Sequence, residues 1–182
     1  MNKVYAFIAN GTEEVECLSV VDILRRAGVE VTLVSIEESA TVVGSHGIVV
    51  TADRTFADCA FDDAAALFLP GGMPGTRRLA AHKGLSDLLV RAYGKGVRLA
   101  AICAAPSVLG GLGLLKGRRA TCFPGFESEL TGAHHVSDGV VTDGIVTTAR
   151  GLGFAIDLGL ELVALLDSPE KSAQVRKAIQ HA

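Results

Sequence analysis

No apolar run in this 182-residue chain is long enough to cross a bilayer, which takes about 20 residues. Basic charge is not in excess: 17 Lys and Arg stand against 20 Asp and Glu, for a net charge of −3. Nucleic-acid binding as a main task leaves a basic footprint, so that class is set aside. The four cysteines, at 17, 59, 103 and 122, form no C-x-x-C pair, which argues against a zinc ribbon and a thioredoxin-type site. No Gly-Lys-Ser/Thr follows Gly71-Gly72, so there is no P-loop. Gly110-Gly111-Leu112-Gly113 and Gly151-Leu152-Gly153 lack the strand–loop–helix spacing of a dinucleotide fingerprint, and no cofactor is expected. His134-His135 reads as a solvated loop pair without acidic or cysteine ligands at metal spacing, and no metal is expected. With no repeat, linker or low-complexity segment, residues 1–182 read as one domain. The opening strand-like segment lacks the flanks of a signal peptide, which makes the cytoplasm the expected location.

What is present is a regular alternation of strand and helix signals. The composition, 49% hydrophobic and 20% charged, fits a compact globule. Lys3 to Ala9 reads as a strand and is followed by the turn Asn10-Gly11. A helix is predicted from about Thr12, its N-cap candidate, to Gly28. Its apolar stripe is Val15, Leu18, Val21 and Leu24, with Glu16 close to that stripe and Glu13 and Glu14 turned to solvent. Val29–Ile36, Ala64–Leu69 and Val97–Ile102 read as further strands, with helical pattern over about 76–94 and 105–112. Hairpins are expected at Val42–Val50 and, around Asp143-Gly144, at Val140–Thr148. Arg119–Phe123 is a short strand, Gly153–Leu166 an apolar helix, and Pro169 opens a last amphipathic one. This order predicts an α/β fold with a mostly parallel sheet and helices on both faces.

The segment Val97-Arg98-Leu99-Ala100-Ala101-Ile102-Cys103-Ala104-Ala105-Pro106-Ser107 carries the strongest chemical signal. Unbroken apolar residues suit a strand covered on both faces, and Pro106 suits the first turn of a helix. Cys103 falls at the junction, the layout that hydrolases use to expose a nucleophile. A helix N-terminus there is expected to favour the thiolate. Cys17, Cys59 and Cys122 read first as small buried hydrophobes. In open α/β sheets ligands sit beyond the carboxyl ends of the strands, where Glu16, Gly71-Gly72 and Cys103 should converge. Glu16 is either a carboxyl for proton transfer beside Cys103 or simply an acid favoured by a helix dipole. Gly71-Gly72 either presents N–H groups to an oxyanion or is a plain turn.

Taken together, these pieces resemble the ThiJ/PfpI superfamily, near its small YajL-like and deglycase-like branch. The likeness spans nearly the whole chain and is carried by Gly11–Glu16, Val21–Gly28, Leu69–Gly72, Ala100–Pro106 and Thr148–Gly151. It implies a flavodoxin-like three-layer sandwich and a homodimer. It implies Cys103 as the elbow cysteine, Glu16 as the carboxylate bonded to it, and the backbone of Gly72 and Ala104 around the reactive sulfur. Arg26 and His46 would approach the partner's pocket. Some members place a histidine where this chain has Phe123, between Cys122 and Pro124, so a Cys–His–acid triad built that way is not expected. Cys122 would then lie near the pocket.

The resemblance implies an enzyme that acts on reactive dicarbonyls or early glycation adducts, in protection against carbonyl and oxidative stress. Its partner is a small aldehyde or glycated substrate. A non-catalytic redox sensor or holdase chaperone with an oxidisable Cys103 is the alternative. A cysteine peptidase or amidase is a third reading, and it requires a histidine at Cys103.

Overall fold

The computed structural model describes residues 3–182; Met1 and Asn2, the start of the expected opening strand-like segment, lie outside them. A seven-stranded sheet runs in the order β10-β11-β7-β6-β1-β2-β5. Its strands are β1 (Lys3–Ile8), β2 (Glu30–Ser35), β5 (Arg54–Thr55), β6 (Ala64–Leu69), β7 (Arg98–Ile102), β10 (Val140–Asp143) and β11 (Val146–Ala149). All neighbours are parallel except β10 and β11, which form the expected antiparallel hairpin. The other hairpin joins β3 (Thr41–Val43) to β4 (Val49–Thr51).

Alternation along the central strands sorts side chains onto two cores. Val4, Ala6 and Ile8 face one core with Phe68 and Ile102; α1 (Glu14–Arg26), α5 (Ala155–Leu166) and α6 (Pro169–Ala178) cover it. Tyr5, Phe7 and Ala9 face the other with Leu67, Leu69 and Leu99, beneath α2 (Gly75–Ala81), α3 (Lys83–Gly94) and α4 (Pro106–Gly111). The register sets small against large: Ala6 beside Phe68, and Phe68 beside Ala100. On the first face α1 and α5 approach closely at Gly159, where a Cβ would stand 2.8 Å from Ile23. Among the described residues no helix is long and apolar enough to cross a membrane.

Several local expectations are corrected. The N-cap of α1 is Glu13, whose carboxylate accepts the N–H of Glu16, while Thr12 bonds back to the N–H of Ala9. The expected polarity is inverted only at the start of α1: Glu13 and Glu14 are buried and Val15 and Leu18 exposed, while Val21 and Leu24 are buried as expected and Glu16 is buried with them. The 76–94 pattern is two helices. His82 ends α2 in an extended conformation, and its Nδ1 accepts the N–H of Leu85 to cap α3. The strand expected at 119–123 is shortened to β8 (Arg119–Ala120), paired with β9 (His134–His135), so the two histidines lie on an exposed strand rather than a loop. Cys59 is only partly buried, its thiol directed at the Thr55 carbonyl.

Candidate active site

The sheet order reverses beside β1: the chain leaves it toward β2 on one side and later returns to β6 on the other. At that switch point the loops after β1 and β6 lock together. Glu13 N–H donates to the Gly71 carbonyl at 2.9 Å, and Gly75 N–H to the Gly11 carbonyl at 3.1 Å. Gly72 takes a φ of 91°, and a Cβ there would stand 2.2 Å from the Glu13 nitrogen, so the close approach requires glycine. Gly71 packs between the two candidate groups: a Cβ there would be 2.5 Å from Glu16 Oε2 and 2.6 Å from the Cys103 Cβ.

Cys103 follows β7 with a φ of 65°, a left-handed conformation that costs a non-glycine residue about 1–2 kcal/mol. Its N–H donates to the Ala149 carbonyl at 2.9 Å, and its carbonyl accepts the Phe123 N–H at 2.8 Å. These bonds hold the turn that leaves the side chain partly exposed. Pro106 occupies the first turn of α4, as the sequence leads one to expect.

Glu16 is 1% exposed. Its Oε2 accepts the N–H of Gly71 at 3.0 Å, its carboxyl also takes the N–H of Leu152, and it hydrogen-bonds with the Cys103 side chain. Burial pushes its pKa up to about 7, the charge of Glu13 adding to the rise against the pull of these hydrogen bonds. Burial and then the adjacent Glu16 carboxylate push the Cys103 thiol up to about 12, while the N–H groups of Ala104 and Gly72 work in the opposite direction. This corrects the expected helix-stabilised thiolate. The six-residue α4 contributes too little to offset burial beside a carboxylate. The two groups are coupled: the charge of the Glu16 carboxylate is one of the reasons that the Cys103 thiol keeps its proton.

The structure brings Glu16, Gly72, Cys103 and Ala104 together. It leaves Arg26 on the surface, paired with Asp22. His46 sits one step away. Its Nδ1 is 3.1 Å from Glu14 Oε2, and its backbone N–H donates to Glu14 Oε1 at 2.8 Å. Burial alone would raise the Glu14 carboxyl, but backbone N–H groups and the His46 ring hold it down at about 2. That buried carboxylate clasps the β3–β4 hairpin, a role the sequence reading missed. Its only sequence signal was the run Glu13-Glu14-Val15-Glu16, where three acids share a first turn. Glu13, Glu14 and His46 present ligand atoms within 4.8 Å of one another, with each carboxylate already taking protein donors. Cys122 is buried in the core under α2–α4, which corrects its expected place in the pocket, and burial pushes its thiol up to about 11. Phe123 is half exposed beside Cys103. The polar groups acting most strongly on Cys103 are Glu16 and the Ala104 and Gly72 N–H groups.

The fold and site define a class: a flavodoxin-like α/β protein with a cysteine at the strand–helix elbow and a buried carboxyl against it. The family model described as the DJ-1/PfpI family matches residues 2–165, and the chain belongs to that family. It is 37% identical over 175 residues to Protein DJ-1 homolog B of Arabidopsis thaliana, covering 95% of this chain but only 40% of the plant protein's length. It is 33% identical over 150 residues to a Pyrococcus horikoshii protein named a deglycase, covering 81% of this chain and 89% of that one. The solved structure of oxidized Toxoplasma gondii DJ-1 superposes with a TM-score of 0.96 at 32% identity, covering all of both chains.

Proposed function

We propose that the protein is a cysteine-dependent enzyme that converts reactive dicarbonyls, or their fresh adducts, to hydroxy acids without glutathione. The observation that carries this reading is the Glu16 carboxyl, buried against Cys103 and poised near neutrality. A carboxyl with a pKa near the working pH is suited to move protons in both directions. The deglycase name of the Pyrococcus horikoshii relative supports the same reading.

The chemistry balances on these two groups and one water. Glu16 takes the Cys103 proton as sulfur adds to the aldehyde carbon, and returns it to the new alkoxide, giving a hemithioacetal. The Gly72 and Ala104 N–H groups steady the oxyanion. Glu16 then removes the proton from the sulfur-bearing carbon and delivers it to the neighbouring ketone carbon through an enediol. The aldehyde carbon is oxidised by two electrons and the ketone carbon reduced by two, so no outside oxidant enters. Water cleaves the resulting thioester, releasing the hydroxy acid and restoring the thiol. Peptide hydrolysis, in contrast, needs a base–acid partner for the leaving amine, and Phe123 stands where a histidine would serve.

The protein acts in the cytoplasm as a homodimer. The dimer is supported by Val15 and Leu18 on α1 and by Val43, Ile48 and Val49 on the hairpin, large apolar side chains left exposed. Light scattering of the purified protein tests it, and a monomer at micromolar concentration refutes it.

Steady-state turnover of methylglyoxal is the decisive assay. Activity should vanish in Cys103→Ser and should rise with pH through about 7, as Glu16 ionises. No turnover, together with peroxide adding oxygens selectively at Cys103, would replace the enzyme with a redox sensor.

A further inference from the structure

An open groove of about 330 Å³ is lined by Phe123, Arg150, Leu152 and Phe154 among others, and backbone hydrogen bonds tie its lining segments to Cys103. Its walls hang from the pair itself. Phe123 donates its N–H to the Cys103 carbonyl at 2.8 Å, and Cys103 donates to the carbonyl of Ala149, the residue before Arg150, at 2.9 Å. Leu152 donates its N–H to the Glu16 carboxyl. The groove and the reacting sulfur therefore share one backbone frame.

Both aromatic walls are seated on glycine. A Cβ on Gly139 would fall 2.2 Å from the Phe154 ring, and one on Gly151 would fall 3.3 Å from the Phe123 ring. Phe154 is clamped by that contact, while Phe123 keeps 48% of its surface open. Arg150 is pinned by its N–H on the Gly139 carbonyl at 2.9 Å. Its side chain is exposed and enters no ion pair among the described residues. A planar guanidinium stacks on aromatic faces, so an aromatic guest would meet favourable groups on more than one side.

We propose that this groove is the subsite for the substituent carried by the dicarbonyl, and that it selects an aryl group: the preferred substrate class is arylglyoxals over methylglyoxal. The assignment rests on Cys103 as the nucleophile. A methyl substituent offers the aromatic lining little to pack against, whereas a phenyl ring presents a face to Phe123 and Phe154. The same internal redox step carries phenylglyoxal to mandelate and methylglyoxal to lactate, each consuming one water.

Two measurements separate this inference from the proposed function. In the first, kcat/KM is compared for phenylglyoxal and methylglyoxal in the native protein and in Phe123→Ala. The native ratio should favour phenylglyoxal by about tenfold or more, and Phe123→Ala should collapse most of that preference. In the second, calorimetric titration of Cys103→Ser with mandelate and with lactate needs no turnover. Mandelate should bind about tenfold more tightly, and the advantage should disappear when Phe123→Ala is added. Where turnover is measurable the ratio decides; where it is not, the titration does. Methylglyoxal turnover with a ratio that Phe123→Ala leaves unchanged overturns the subsite and leaves the enzyme standing. Absence of all turnover with selective mandelate binding keeps the subsite and removes the enzyme. Equal binding of the two acids without turnover removes both.

Discussion

Glu16→Gln should make the protein more stable in mild alkali and less stable in acid. The carboxyl ionises at about 4.5 when exposed and at about 7 in the fold. Between those values the unfolded chain has released a proton that the folded chain still holds, so stability falls as pH rises. Below 4.5 both states are protonated and the effect is absent; above 7 it is complete. A rise from 4.5 to about 7 corresponds to about 3 kcal/mol of destabilisation. Glutamine keeps the shape and an acceptor for the Gly71 N–H, but it sets a second donor group near Leu152 and Cys103, at a cost of about 1 kcal/mol. The variant should thus be about 1 kcal/mol less stable near pH 4.5 and about 2 kcal/mol more stable near pH 8. Urea unfolding at fixed protein concentration, repeated across that range, reads the difference directly. Methylglyoxal turnover should fall in the variant at every pH. A stability difference that keeps one sign and size from pH 4.5 to pH 8 would refute the reasoning, because it would mean that Glu16 is not held above its ordinary value.

Glu14→Gln should show the opposite trend: a loss of roughly 1–3 kcal/mol at neutral pH from weakened charge-assisted hydrogen bonds, shrinking as pH is lowered from 4.5 toward 2 because the carboxyl is depressed in the fold. Denaturation monitored at several acidic pH values checks it. Cys103→Gly should be about 1 kcal/mol more stable than Cys103→Ala, since both lack the sulfur but only alanine pays for the left-handed backbone; equal melting behaviour would contradict the strain. Gly71→Ala should cost roughly 1–3 kcal/mol by overpacking and should sharply lower turnover, because its methyl group invades the space between Glu16 and Cys103. Thermal unfolding paired with the methylglyoxal assay tests both halves of that statement.

The fold was legible where burial is uniform. β6, and β1 and β7 beyond their first residues, are apolar runs because helices cover both faces of the sheet, and the Cys-Ala-Ala-Pro junction marks the turn from β7 into α4. Legibility failed where a side chain acts against its usual preference. His82 broke the 76–94 helix by accepting a backbone N–H, which no periodicity reveals. The strand after Arg119 ended early because Phe123 turns its N–H to the Cys103 carbonyl, a bond between segments 20 residues apart. The sequence pointed to Cys103 as a reactive cysteine but misjudged its resting state. A helix start argues for a thiolate, yet the nearby carboxylate and burial outweigh it, and both depend on packing.

The inversion at the start of α1 joins the site to the rest of the molecule. A helix that packs on a core should turn its acids outward and its Val and Leu inward. Here Glu13, Glu14 and Glu16 are buried while Val15 and Leu18 face out. Two parts of the arrangement do not stabilise an isolated chain: Glu16 is held above its ordinary pKa by burial, and the exposed apolar pair remains in water. Each acid nevertheless has a defined task. Glu13 caps the helix, Glu14 clasps the hairpin, and Glu16 reaches Cys103. With 3.6 residues per turn, consecutive acids cannot all point inward unless the intervening Val15 points out. The outward apolar pair is therefore a geometric consequence of building the site at this helix start, and a second copy covering it would recover the burial that the arrangement gives up. On that argument the Cys103–Glu16 site and the proposed dimer face are two sides of one turn of helix, and a substitution that moves α1 should perturb both together.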